Sequence, residues 1–133
     1  MNARDVLEHT KPMSLLYVED DESLRLITQK LFENFFQSVD VACNGEEGLA
    51  LYLEAARGKK PYSLIISDIT MPKMDGIAMC EAIMDHNPAQ PFIFVSAYNE
   101  TNYLSRAVEM GVSGFLTKPI QFEKLIQTFS RLA

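Results

Sequence analysis

The 133-residue chain has no Trp, only two Cys, and only six Gly and six Pro. So little Gly and Pro excludes collagen-like and low-complexity chains, while 47% hydrophobic and 23% charged residues lie in the ordinary globular range. Cys43 and Cys80 are too few and too far apart for a disulfide framework or a metal knuckle, so both read as small core or half-buried side chains. A basic excess is also missing: 12 Lys and Arg against 18 Asp and Glu leave a formal charge of −6. That sign disfavours direct binding to nucleic-acid phosphates or to anionic lipid. No apolar run approaches the roughly 20 residues of a membrane helix, and the first fourteen residues are charged where a signal peptide is apolar, so a cytoplasmic location is expected. At this length there is room for one packed domain.

What is present is an alternation. Five strand-length runs rich in Val, Ile, Leu, Phe and Tyr occur at Leu15 to Val18, Val39 to Ala42, Leu64 to Ile66, Phe92 to Val95 and Val112 to Leu116. Between and after them lie apolar residues at helical spacing: Leu24, Ile27, Leu31 and Phe35, then Leu49 and Leu53, and finally Phe122, Leu125, Phe129 and Leu132. Parallel strands need long crossovers, and amphipathic crossovers cover both faces of the sheet. The class is therefore α/β, an open, doubly wound parallel sheet. Asp21, Glu22 and Ser23 favour a helix start, Asn44-Gly45 punctuates the second strand and helix, and Gly111 follows the fourth helix. The third helix, about Ile77 to Met84, reads as short, and the fourth, about Glu100 to Glu109, offers mainly Leu104, Ala107 and Val108 to the core. Arg57 to Pro61 reads as a solvated loop. Residues 1–13 end in Lys11-Pro12, which disfavours a helix running into the first strand. They are expected to be a flexible arm or an expression remnant, with the domain spanning 14–133.

The chemistry-bearing residues cluster by position. Glu19, Asp20 and Asp21 follow the first strand, Asp68 the third, Ser96 the fourth and Lys118 the fifth, all at carboxyl ends. Ligands of open parallel sheets bind along that edge, at the crevice where strand order reverses. With a 2-1-3-4-5 order, the acidic ends of the first and third strands converge. Unit charges about 5 Å apart repel by roughly 3 kcal/mol at an effective dielectric of about 20, so such a cluster implies a cation. An all-oxygen donor set suits Mg²⁺, and Lys118 offers a second positive group. Together these groups outline a phosphoryl-transfer site with Asp68 as nucleophile. Taken singly, each has a plainer explanation: Asp21 and Glu22 serve the first helix's positive end, Asp68 fits a turn, and Ser96 and Lys118 fit a strand end and a solvated amine. Joint placement favours the chemical reading. His9 and His86 have no placed acid or nucleophile nearby, and the seven Met read as core filler.

The strings LLYVEDDESLR, LIISDITMPKMDG, FIFVSA and GFLTKP, in this order and spacing over about residues 14–132, resemble the receiver domain of bacterial two-component response regulators. The resemblance implies a flavodoxin-like (βα)5 fold with strand order 2-1-3-4-5. It implies Asp68 as phospho-acceptor; Asp20 and Asp68 as direct Mg²⁺ ligands, with Mn²⁺ as a substitute; Glu19 as a ligand through water; and the Thr70 backbone carbonyl as the remaining protein ligand. Ser96 becomes the switch hydroxyl, Lys118 the phosphate-binding lysine, and Phe115 the switch aromatic. The Lys118-Pro119 bond is expected to be cis. Glu19 replaces the commoner Asp, Phe115 lacks the usual tyrosine hydroxyl, and Thr70 and Tyr98 occupy positions that tune loss of the acyl phosphate.

The implied role is a signalling switch rather than an enzyme, with slow self-dephosphorylation. The expected partners are a histidine kinase or phosphotransfer protein and a downstream protein or fused output domain. The face made by the fourth helix, fifth strand and fifth helix would change shape, in a monomer or a phosphorylation-dependent dimer. No effector segment follows the fifth helix, which suggests a stand-alone receiver or one cut from a longer protein. Two alternatives are weaker. Haloacid-dehalogenase-like phosphatases need a second Asp where Thr70 stands, and receiver-like modules that take no phosphate usually lack an acid, the nucleophile or the lysine.

Overall fold

In a computed structural model, residues 2–97 and 101–132 are described. Eleven elements follow in chain order: α1 (Ala3–Thr10), β1 (Ser14–Val18), α2 (Glu22–Phe32), β2 (Ser38–Ala42), α3 (Gly45–Arg57), β3 (Leu64–Asp68), α4 (Gly76–His86), β4 (Phe92–Ser96), α5 (Thr101–Glu109), β5 (Gly114–Thr117) and α6 (Phe122–Ser130). All strand pairings are parallel, in the order β2-β1-β3-β4-β5. This is the doubly wound parallel sheet that the alternating pattern predicts, in the flavodoxin-like order that the receiver resemblance implies.

Successive side chains of a strand face opposite ways, so an apolar strand must find a core on each side. Leu16, Val18, Ile65, Phe92 and Phe94 join Tyr52 of α3, Ile77, Cys80 and Ile83 of α4, and Ala107 of α5. Their neighbours Leu15, Tyr17, Leu64, Ile66, Ile93 and Val95 join Val6 of α1, Phe32 of α2, and Leu125 and Phe129 of α6. The second cluster is aromatic, with Tyr17 edge-on to Phe32 at 5.0 Å and Phe129 edge-on to both Phe35 and Phe36. Helix starts follow capping chemistry: Asp21, Asn44 and Asp75 each accept the amide three residues on. The assignment of Asp21 to the first long helix is thus borne out.

Several boundaries and faces differ from the sequence reading. Residues 1–13 are expected from the sequence to be a flexible arm, but among the described residues 3–10 form a helix capped by Asn2, and Val6 is fully buried in the aromatic cluster. Thr10 Oγ1 donates to Phe35 O at 2.7 Å, and the Gln37 amide donates to Met13 O at 2.9 Å, tying this segment to the turn after α2. Lys11-Pro12 ends the helix as expected, but does not prevent the preceding turns from docking. In α2 the buried pair is Thr28 and Phe32, one turn apart, whereas Ile27 is 68% exposed and Phe35 lies beyond the helix. In α5, Ala107 is buried but Val108 is 65% exposed; the side chain of Leu104 lies outside the described residues. β5 begins at Gly114 rather than Val112, where pairing to Ile93 starts. No helix among the described residues is long and apolar enough to cross a membrane.

Candidate functional site

The chain leaves β1 to one side to build β2 and returns to the other to build β3, so the order reverses between these two strands. Val18 is paired with Ser67, which brings the next residue of each strand, Glu19 and Asp68, to the same point of the carboxyl edge. Asp68 is paired with Val95 across from β4, and Ser96 with Thr117 across from β5. The Lys118 amide continues this last ladder, donating to Ser96 O at 3.0 Å, and the Lys118-Pro119 bond is cis as expected.

Glu19, Asp20 and Asp68 each offer a carboxylate oxygen within 4.8 Å of the others. Glu19 is fully buried, Asp68 nearly so, and Asp20 exposed at the mouth. Lys118 Nζ lies 3.0 Å from Asp68 Oδ2 and 3.2 Å from Glu19 Oε1. The Asp21 amide donates to Glu19 Oε2 at 3.1 Å, whereas the buried Asp68 Oδ1 has no hydrogen-bond partner among the described residues.

Protonation follows from this crowding. Burial, then the adjacent Glu19 carboxylate, pushes the Asp68 carboxyl up to about 9, outweighing Lys118. Burial alone would raise Glu19 too, but the Asp68 carboxyl, the Asp21 amide and Lys118 together hold it below its ordinary value. Asp20 is raised by burial and by Glu19. Burial works against the Lys118 charge, yet Asp68 and Glu19 raise it further. Without a cation, this crowding favours a shared proton on the buried pair over two ionised carboxylates. Three oxygen-bearing acids and one unpartnered buried oxygen fit a hard divalent ion.

The structure thus brings Glu19, Asp20, Asp68 and Lys118 together. Ser96 is buried at the end of β4, and Phe115 is half-buried on β5 beside the α3–α5 core. Thr70 is exposed on the loop after β3, and Tyr98 lies outside the described residues. His86 Nδ1 is 3.1 Å from the Tyr52 hydroxyl, well away from the cluster in sequence and unconnected to its bonds.

Three features escaped the sequence reading. Arg25 Nη1 donates to Glu19 O at 2.9 Å. The Tyr17 hydroxyl reaches Glu19 Oε1 at 3.5 Å, which the two-residue period of a strand could have suggested. Beside Lys118 opens a groove of about 430 Å³ lined by Tyr17, Leu24, Ile27, Leu31, Pro119 and Ile120, among others. Three residues of the α2 apolar stripe line it, Leu31 among them also packing against the core. The loop after β3 is fitted closely: a Cβ on Gly76 would lie 2.0 Å from Asp68 O, and one on Gly45 would lie 2.3 Å from Met74 O.

Comparison with known proteins bears on the family and the fold. The profile of the response regulator receiver domain matches residues 15–130. The transcriptional regulatory protein ZraR of Salmonella typhimurium is 31% identical over 119 residues, 90% of this chain but only 26% of ZraR, so the chain spans about a quarter of that relative. It spans 49% of the transcriptional regulatory protein DltR of Streptococcus agalactiae, at 30% identity over 86% of this chain. The probable chemotaxis protein CheY of Rhizobium etli is 31% identical, over 85% of this chain and 86% of CheY. Among solved structures, the N-terminal domain of an uncharacterized Wolinella succinogenes protein matches with a TM-score of 0.79 and 35% identity, covering 90% of this chain and 95% of that one. A chain of the CheX–CheY–BeF3–Mg complex of Borrelia burgdorferi matches with a TM-score of 0.77 and 27% identity, covering 94% and 92%. With its profile, its curated relatives and its doubly wound sheet in agreement, the chain belongs to the response regulator receiver domain family.

Proposed function

We propose that this receiver takes a phosphoryl group on Asp68 from a phosphohistidine of a histidine kinase or phosphotransfer protein. The observation that carries the reading is the convergence of three acids and one ammonium at the switch point. A carboxylate oxygen of Asp68 attacks phosphorus, the P–N bond to the donor imidazole breaks, and the imidazole leaves with the electron pair. The product is an acyl phosphate on Asp68.

Glu19, Asp20, Asp68 and the Thr70 backbone carbonyl would hold Mg²⁺, with Mn²⁺ as a substitute. The bound ion supplies the positive charge that lets Asp68 ionise and that offsets charge on the moving group. Lys118 turns from Asp68 to a phosphoryl oxygen. The Ser96 hydroxyl donates to another, drawing its loop inward and releasing Phe115 towards the core, which remodels the α5–β5–α6 face. Thr70 and Tyr98 tune the slow loss of the phosphate. The protein is a switch in this reading, and no other substrate is turned over.

The apolar groove beside Lys118 offers a protein donor a contact surface that a small phosphodonor does not use, which supports a protein as the physiological donor. Transcriptional regulators among the relatives, of which this chain spans about a quarter to a half, support a fused output domain or a separate downstream protein; the receiver acts in the cytoplasm as a monomer or a phosphorylation-dependent dimer in this reading. The acyl phosphate can be trapped with hydroxylamine after treatment with acetyl phosphate and Mg²⁺. A hydroxamate at Asp68 is expected by peptide mass spectrometry; a hydroxamate at another residue contradicts the assignment.

A further inference from the structure

Glu19 is held through its amide, its carboxylate and its carbonyl. Its amide donates to Ala42 O at 3.0 Å, and its carboxylate accepts from the Asp21 amide and from Lys118. Its carbonyl lies just past the end of β1, and Arg25 fills the role of donor there, reaching back six residues from α2 at 2.9 Å. Among the described residues Arg25 forms no ion pair, so its charge is not committed to a carboxylate.

Two effects of opposite sign follow. As a charge near the acidic mouth, Arg25 competes with a bound cation. As a donor, it fixes the plane of the Glu19–Asp20 peptide, because the carbonyl oxygen and the next Cα share one rigid unit. Asp20 is exposed and sits on that unit, so its presentation depends on how the peptide is held. The half-exposed guanidinium loses much of its Coulomb effect to solvent, whereas the short bond to the carbonyl does not depend on long-range charge.

We infer that Arg25 is a positioning residue for the divalent cation site, acting on Asp20 through the Glu19 carbonyl. The inference rests on the receiver reading of the acidic cluster. The two accounts of Arg25 differ in the sign of one measurement. Mg²⁺ alone is titrated calorimetrically into the wild type, Arg25→Ala and Arg25→Met, and the melting temperature of each is recorded in chelator. Positioning predicts a roughly threefold to tenfold weaker Mg²⁺ affinity in both variants, a fraction of the worth of a hydrogen bond from a charged donor because the bond is made with and without the ion. Arg25→Met keeps the apolar stem and guards against a packing defect. Equal or tighter Mg²⁺ binding in the variants overturns this inference and leaves the receiver reading standing. A lowered melting temperature with unchanged Mg²⁺ affinity does the same, since a helix tie alone gives that pattern. A wild type that binds no Mg²⁺ overturns the receiver reading and this inference together.

Discussion

Lys118 Nζ lies 3.0 Å from Asp68 Oδ2, and the same ammonium is 3.2 Å from Glu19 Oε1, so one cation serves two buried carboxyl groups. This makes Lys118 a stand-in for part of the charge that a divalent ion would bring. The other oxygen of Asp68 is buried without a partner among the described residues. The two observations together define a site that is electrostatically incomplete.

Replacing Lys118 by Met separates metal binding from phosphoryl binding. With the competing ammonium gone, Mg²⁺ affinity should rise about threefold or more, since close charges in a partly buried site interact by a few kcal/mol before screening. Uptake of phosphoryl from acetyl phosphate should fall at saturating Mg²⁺. Calorimetry and intact mass read the two effects; weaker Mg²⁺ binding would mean that Lys118 orients the acids rather than competing with the ion.

The raised Asp68 carboxyl predicts a pH-dependent cost of function. Its folded value of about 9 lies above the ordinary value of 3.8, so folding takes up a proton between them and stability falls as pH rises through that window. Asp68→Asn escapes this loss. In chelator its melting temperature should exceed that of the wild type by an amount that grows from pH 4 to pH 9. Near pH 8 the gain should be at least about 1 kcal/mol, several degrees for a domain of this size. Saturating Mg²⁺ should shrink the difference; a pH-independent gap would refute the account of burial and crowding.

How much of this could be read from the sequence depends on how local the cause is. Strand positions were legible because both sheet faces are covered, which makes each strand an apolar run, and the acids stood out because they interrupt those runs at one edge. The side of a helix that meets the sheet was less legible. Leu24, Ile27 and Leu31 form a helical stripe, but the buried residues of α2 are Thr28 and Phe32, and the stripe lines an open groove beside Lys118. The docking of α1 was not legible, since Val6 is buried in a cluster whose other members, Phe32, Phe35 and Phe129 among them, come from distant segments. Arg25 was missed for a similar reason: its partner is a backbone carbonyl, which leaves no residue-type signal.

The docked helix can be weighed directly. Val6→Ala should lower unfolding free energy by about 1 to 2 kcal/mol, as expected when a fully buried aliphatic side chain loses its methyl groups. Urea denaturation measures it, and a change below about 0.3 kcal/mol, within the range of neutral surface substitutions, would indicate that residues 3–10 leave the domain in solution.

The two cysteines should differ in reactivity for stated reasons. Burial pushes the Cys80 thiol up to about 12, whereas Cys43 is half-buried and raised chiefly by its hydrogen bond to Glu47, at 3.1 Å. Near pH 8 a thiol reagent should label Cys43 and spare Cys80 in the folded protein. Glu47→Gln should speed Cys43 labelling about two- to fivefold by removing the carboxylate that disfavours the thiolate. Faster labelling of Cys80 than of Cys43 would contradict the packing of α4.

The most direct test of the central claim is the intact mass of the protein after incubation with Mg²⁺ and either acetyl phosphate or phosphoramidate. The account predicts a single phosphoryl adduct that is absent from Asp68→Ala and absent in chelator. An adduct that persists in Asp68→Ala, or no adduct on folded protein with Mg²⁺ shown to be bound, would contradict it.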